Sequence, residues 1–370
     1  MRKHVSLAAA AVTAAVFLAP GPAGAAAPPQ PEPVSRAGGL LSPLHVSTAR
    51  DGAVTVSEEF AGRLTRIGSD GAKTELYWDP AWDVAGSAYR RGTTYFAESQ
   101  GAGPMDARPL AGHIRTIARD GTQATFGDLA ALETNENADG DVTYGFEDLP
   151  EACAAQLPPE VPGSYTGTVD SHPYGIALSG DTVYVADAGA NSIVAVDADS
   201  GDAETVAVLP PRPYTVTAEV ASALQLPDCV AGLTYSFEPV PTDVAVGPDG
   251  WLYVAVLPGG PEDPALGARG AVYRVNPDNG RVRLFADEVM SPTGLALDDD
   301  GDVYVASLFG EGVLKIDGDH RQRTVLAGKL TADVAIRDSV LYATTDALPA
   351  PNQAPDGKLV SVDLNRHTRH

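Results

Sequence analysis

The sequence predicts an all-β chain, a single six-bladed β-propeller closed by its own N-terminal strand. Three observations predict it. A unit of short paired strands recurs six times, Asp-Gly turns punctuate the copies, and the last copy lacks a strand that the start of the mature chain can supply. Runs of β-branched and aromatic residues joined by Asp-Gly are hairpin chemistry, because Gly tolerates positive φ and Asp bonds back onto the turn. Four antiparallel strands repeated at a regular spacing are the mark of a propeller.

The copies follow in order. Pro43-Leu44-His45-Val46 leads through Asp51-Gly52 to Val54-Thr55-Val56, and Ala81-Trp82-Asp83-Val84 leads to Thr94-Tyr95-Phe96-Ala97. The clearest copy, 172–178, turns at Gly180-Asp181 into 183–187. Residues 241–246 pass through Asp249-Gly250 to 252–255, 292–297 pass through Asp300-Gly301 to 303–306, and 331–336 lead into 340–343. A third strand follows in each copy (64–67, 114–117, 193–196, 272–275, 313–316 and 359–362), and a fourth closes most of them. The last copy stops at three. Leu40-Leu41-Ser42-Pro43 repeats the pattern of Val289-Met290-Ser291-Pro292, so residues near 33–38 are expected to complete the last blade. Closure of this kind removes open sheet edges.

The first 25 residues have the layout of a secretory signal peptide: a basic start at Arg2-Lys3, an apolar run from Val5 to Ala19, then small residues at Ala23-Gly24-Ala25. The run is too short to span a bilayer, which needs about 20 apolar residues. Residues 26–32 read as a disordered leader, 33–365 as the propeller and 366–370 as a polar tail, which makes the mature protein secreted, with no membrane insertion. With 25 Lys and Arg against 49 Asp and Glu, the formal charge is −24. That balance argues against nucleic acid and anionic membranes as partners. A monomer is expected.

The segment 184–193, Tyr-Val-Ala-Asp-Ala-Gly-Ala-Asn-Ser-Ile, resembles the strand-turn-strand of NHL-type propeller repeats. Together with 169–176 and 239–250 it is similar to the secreted bacterial ScyD/ScyE-like propellers, a resemblance that covers essentially the whole mature chain. It implies the fold and export, and assigns no activity.

In a propeller the start of each inner strand and the end of the second strand converge around the mouth of the central channel. Aligning the copies places His45, Asp83, Gly175, Asp243, Gly294 and Asp333 at the first position, and Glu58, Glu98, Asp187, Val256, Ser307 and Thr345 at the second. His172 lies close by. The ligand funnel expected is therefore His45, Glu58, Asp83, Glu98, His172, Asp187, Asp243 and Asp333, on the face that also carries the long connections. Two readings of the carboxylates stand side by side. Asp83, Asp187, Asp243 and Asp333 could ligate a divalent cation, with calcium the candidate cofactor, or they could bond backbone amides of the next blade.

Cys153 and Cys229 lie in insertions ahead of the third and fourth inner strands, and an exported chain with two cysteines is expected to pair them. The same insertions carry matching motifs, Thr143-Tyr144-Gly145-Phe146-Glu147 and Thr234-Tyr235-Ser236-Phe237-Glu238. These could stack on a ligand, but the preferred reading is a small core that lets the insertions fold. Residues 135–141 imitate the first half of an EF-hand loop, but Phe146 stands where the twelfth-position Glu belongs, and no amphipathic helix brackets the loop. It reads as an acidic surface loop. The Asp298 to Asp302 run reads as turn chemistry.

No nucleophile elbow, phosphate loop or zincin helix occurs, and no catalytic residue is assigned. Two function classes remain. The first, which the residues favour, is a binding module for a small molecule, cell-wall component or protein. The second is a calcium-dependent hydrolase resembling SMP-30 or gluconolactonase propellers, whose metal is held by an early Glu, two Asn and an Asp. Here His45 occupies the early position, and Asp and Gly occupy the Asn positions. A lyase resembling the virginiamycin-inactivating propellers would need a catalytic His, for which His45 and His172 are the candidates.

Overall fold

The computed structural model describes residues 32–367 apart from 50, 104 and 351. The expected signal peptide, the leader up to residue 31 and the last three residues of the tail lie outside the described residues.

Strand-forming runs fold as the repeats predict. In the first copy, Pro43–Thr48, Val54–Glu58, Arg63–Ile67 and Lys73–Trp78 pair in sequence as an antiparallel sheet. Four further sheets of consecutive strands begin at the inner strands Asp83–Arg90, Pro173–Ser179, Pro241–Val246 and Pro292–Leu297. Asp-Gly turns join the inner hairpins of two of them, where Gly250 at φ 78° and Gly301 at φ 85° adopt the left-handed backbone that a side chain would strain.

The sheet of the last copy is completed from the N-terminus. Asp333–Arg337, Val340–Thr345 and Gly357–Asp363 are joined by Val34–Leu40, which pairs antiparallel to Gly357–Asp363 from Val34–Ser361 to Leu40–Gly357. Each inner strand packs beside the next, and Asp333–Arg337 packs back against Pro43–Thr48, so the six inner strands surround a channel. Alternating Val, Ile, Leu and Ala fill the space between neighbouring sheets, as in the cluster of Val185, Ile114 and Ala85 or that of Val254, Val275 and Ala186. Such stacking withdraws apolar surface from water at roughly 25 cal/mol per Å².

The described residues hold seven four-stranded sheets, one more than the six copies predict. The additional sheet is made by the insertions. Thr143–Phe146 and Thr234–Phe237 pair with each other and are flanked by Ser164–Thr166 and Arg212–Thr215. The two Tyr-x-Phe motifs are thus neighbouring strands, and Phe146 packs with Val216, Val220, Val230 and Leu266 in a separate small core. Cys153 and Cys229 form the expected disulfide, with Cα atoms 5.9 Å apart.

The 135–141 loop lies at the surface as expected except for one residue. It follows a short helix, Leu129–Glu136, and its Asp139 is buried, accepting bonds from the Tyr144 hydroxyl at 2.9 Å and the Asn191 amide at 2.8 Å. The insertion sheet covers that residue, which periodicity within the loop could not reveal. Among the described residues no helix is long and apolar enough to cross a membrane.

Candidate functional site

A common irregularity builds the channel mouth. In four sheets the register slips just after a Pro that opens the inner strand, between Pro43 and His45, Pro173 and Gly175, Pro241 and Asp243, and Pro292 and Gly294. A bulge of this kind re-aims the residue that follows it. His45 and Asp243, which follow such slips, and Asp333, which opens a strand of regular register, rim a central cavity of about 370 Å³.

The two aspartates act as staples between sheets. Asp243 accepts its own strand's Val244 N–H at 2.8 Å with Oδ1 and Leu295 N–H of the adjacent inner strand at 2.8 Å with Oδ2. Asp333 does the same with Val334 N–H at 2.7 Å and Val46 N–H at 2.6 Å, the latter across the point where the chain closes. Gly175 and Gly294 make room for them: a Cβ on Gly294 would lie 2.0 Å from Asp333 Oδ1, and one on Gly175 would lie 2.5 Å from Asp243 Oδ1. Burial holds both carboxyls above the usual range, and repulsion from Asp243 adds to the effect at Asp333.

Above this ring sits a second group. The imidazole of His45, 2% exposed, meets the ring of Tyr174 edge-on at 4.4 Å between centroids, and His172 meets the same ring at 5.3 Å. Tyr174 also lies beside Glu59, a residue that is itself 2% exposed. His45 Nε2 lies 3.7 Å from Glu59 Oε2, and its Nδ1 lies 3.8 Å from Asp333 Oδ2. Neither approach is short enough for a hydrogen bond.

Electrostatics make this a neutral acid–base cluster rather than a set of ion pairs. Burial, with the neighbouring His172 adding to it, lowers the His45 pKa to about 3, and burial lowers that of His172. Burial and the nearby Asp83 raise the Glu59 pKa to about 8. At pH 7 both imidazoles are therefore unprotonated and Glu59 carries a proton. Three polar atoms, His45 Nε2, His172 Nε2 and Glu59 Oε2, are buried with no hydrogen-bond partner. Unpaired buried groups cost about 1–3 kcal/mol each and ask for an explanation.

Of the eight residues expected at the funnel, five assemble: His45, Asp243 and Asp333 at the rim, His172 beside Tyr174, and Asp83 at the edge. Asp83 lies within electrostatic reach of Glu59 and His172 and 3.4 Å from Arg108. The other three serve structure. Glu58 accepts the Leu41 N–H and the Thr65 hydroxyl. Glu98 lies opposite Val84 in the ladder and accepts from Tyr77, His113 and Arg115. Asp187 accepts from the Ser171 hydroxyl and from the N–H groups of His172 and Ala190. Strand alternation turns Glu58 and Glu98 onto sheet faces instead of the channel.

Glu59 and Tyr174 were not anticipated. Glu59 follows directly on Glu58 but opens a 3₁₀ turn, Glu59–Ala61, closed by Gly62 at φ 61°, so its direction no longer obeys the strand's period. The Gly62 stop was the available signal.

The four expected cation ligands do not form one set. Asp187, Asp243 and Asp333 already accept backbone or hydroxyl protons on both oxygens, and Asp83 approaches Arg108. Among the described residues no three His, Cys, Asp or Glu side chains are placed to hold one metal ion. Asp243 and Asp333 act as inter-blade staples and Asp187 as a turn cap, while Asp83 pairs with Arg108.

No protein family and no curated protein matches the sequence. Solved structures do. The chain is similar to the PQQ-bound aldose sugar dehydrogenase from Streptomyces coelicolor at TM-score 0.54 and 15% identity, covering 90% of this chain and 99% of that one. A protein of unknown function from Bacteroides thetaiotaomicron aligns at TM-score 0.53 and 12% identity, over 87% of this chain and 70% of that one. A protein described as a gluconolactonase aligns at 0.51 and 14%, over 89% and 91%. At such identities the likeness is one of fold: this chain is built as a β-propeller.

Proposed function

We propose that the protein is an exported six-bladed β-propeller, capped by the sheet its insertions form, that captures a small polar ligand at the channel mouth. Export rests on the signal-peptide layout of residues 1–25, and the ScyD/ScyE-like sequence pattern agrees with it. One observation carries the binding reading: His45 Nε2, His172 Nε2 and Glu59 Oε2 are buried, unpartnered and gathered around Tyr174. A ligand that offers hydroxyl donors to the two ring nitrogens and an acceptor to the Glu59 proton would satisfy all three. The concave channel of about 370 Å³, which His45 lines, suits a molecule of one or two small rings.

The test is thermal stabilisation of the mature protein by a defined panel of glucose, N-acetylglucosamine, glucuronate and δ-gluconolactone. At least one is expected to raise the melting temperature of the wild type and to lose that effect in His45→Leu and Glu59→Leu, which remove the acceptor and the donor. A panel without effect, or one that stabilises the variants equally, overturns the reading.

A second reading, hydrolysis of a lactone or ester, is favoured by the 3.7 Å approach of His45 Nε2 to Glu59 Oε2. A neutral imidazole can take the proton of a water attacking the carbonyl carbon, while the carboxylic acid gives its proton to the leaving alkoxide oxygen as the C–O bond breaks. Turnover of δ-gluconolactone with and without chelator tests it. Activity lost in His45→Gln supports hydrolysis, and no turnover leaves binding alone.

A further inference from the structure

The insertions enclose a second cavity, of about 650 Å³, away from the channel mouth. Phe146, Tyr165, Tyr214, Tyr235 and Phe237 line it together with aliphatic side chains such as Val216, Leu224 and Leu266, and Glu160 adds an acid to its wall. The rings brace one another: Phe146 meets Tyr235 edge-on at 4.8 Å, and Tyr235 meets Phe237 at 4.6 Å. The disulfide at Cys153, packed in the same small core as Phe146 and Tyr235, ties the two insertions together. The cavity is therefore a built space within the range of small-molecule sites, about 300–1,000 Å³.

One charged group lines both this cavity and the adjoining one of about 430 Å³: Glu238, half-buried at the end of the Tyr235-Ser236-Phe237 strand. The Tyr165 hydroxyl and the Asn191 amide lie near it, and the charged groups facing it, Asp139 and Asp170, are both acidic. Arg269 lies over the Phe237 ring at 4.6 Å, but its guanidinium is held by the carbonyls of Gly259 and Pro261 and by the Glu262 carboxylate. It buttresses the wall and leaves the acidic trio of Glu238, Asp139 and Asp170 without a counter-charge from that side.

Aromatic faces attract cations, and a desolvated carboxylate among like charges calls for one. An anionic guest would meet repulsion here, and a neutral apolar guest would leave Glu238 uncompensated. We propose that this cavity binds a small organic ammonium compound, its aromatic or alkyl body between Tyr235, Phe237 and Tyr214 and its ammonium group directed at Glu238. The site is separate from the channel mouth and does not depend on the ligand proposed there.

Calorimetric titration of the full mature protein with three probes of one shape tests it: phenethyltrimethylammonium, 2-phenylethanol and 3-phenylpropionate. The ammonium is expected to bind at least tenfold more tightly than the alcohol, with the carboxylate weakest. Glu238→Gln is expected to remove the preference for the cation and leave the alcohol unchanged, and His45→Gln is expected to change neither. The three-probe comparison on the wild type stands even if Glu238→Gln folds poorly. Equal binding of the three probes, no binding of the ammonium, or an undiminished cation preference in a folded Glu238→Gln variant overturns the proposal.

Discussion

Replacing Glu59 by Gln swaps a buried ionisable carboxyl for a permanently neutral group of the same shape, and its consequence for stability can be worked out. Burial and Asp83 raise this carboxyl from an ordinary 4.5 to about 8 in the folded chain. Between those two values the folded protein keeps a proton that the unfolded chain has released, so wild-type stability falls as pH rises through that window. Each tenfold change in protonation equilibrium is worth about 1.4 kcal/mol, which sets a ceiling of about 5 kcal/mol. His45 acts in the opposite sense. Its pKa drops from 6.5 to about 3, so its contribution is present above the unfolded value and is lost as pH falls toward 3. That slope is common to both proteins and cancels in their difference. Urea unfolding followed by circular dichroism from pH 4 to pH 9 is the assay. Relative to wild type, Glu59→Gln should gain stability progressively between pH 4.5 and 8 and hold a constant difference outside that range. Parallel pH profiles for the two proteins would show that Glu59 is ionised and solvated in the folded state, and would refute the neutral acid–base cluster.

Further outcomes follow from the packing. Gly294→Ala places a methyl group 2.0 Å from Asp333 Oδ1 and should cost about 1–3 kcal/mol by denaturant unfolding, whereas Gly38→Ala, with open space around it, should be near neutral. Removing residues 26–40 strips Val34–Leu40 from the Gly357–Asp363 edge, so the truncated protein should melt lower and form aggregates in size-exclusion chromatography. Replacing Cys153 and Cys229 by Ala releases a link across 76 residues, worth about 4 kcal/mol in the chain-entropy account. Limited proteolysis should then cut first within the insertions and leave the remaining sheets intact.

Most of the fold was legible because the evidence for it is local and repeated. Inner-strand runs such as Pro-Thr-Asp-Val-Ala-Val at 241–246 and Pro-Thr-Gly-Leu-Ala-Leu at 292–297, the Asp-Gly turns and the Leu-Ser-Pro echo at 40–43 place the inner strands and the closing strand, and Val34–Leu40 lies on Gly357–Asp363 as those motifs predict. The seventh sheet was half-legible. The paired Tyr-x-Phe motifs and the two cysteines pointed to an ordered insertion, but the pairing of Thr143–Phe146 with Thr234–Phe237 is a contact across some ninety residues that no period records. The mouth was legible where the inner strand itself sets the direction, as for His45, Asp243 and Asp333. It was not legible where a carboxylate had a nearer partner. Glu98 turns to Tyr77, His113 and Arg115, and Asp187 turns to Ser171 and two backbone amides. Glu59 escaped notice because a 3₁₀ turn, not a strand, aims it.

Two unprotonated imidazoles stand at the channel mouth, and histidine nitrogen NMR measures them. On protein labelled at the imidazole nitrogens, two-bond correlation spectra from pH 4 to pH 8 should show His45 as a single neutral tautomer throughout, consistent with a pKa near 3. Addition of a ligand that stabilises the protein should then shift the His45 Nε2 resonance. Protonation of His45 at an ordinary value near 6.5 would contradict the account, because a charged imidazole there requires a solvated or ion-paired mouth.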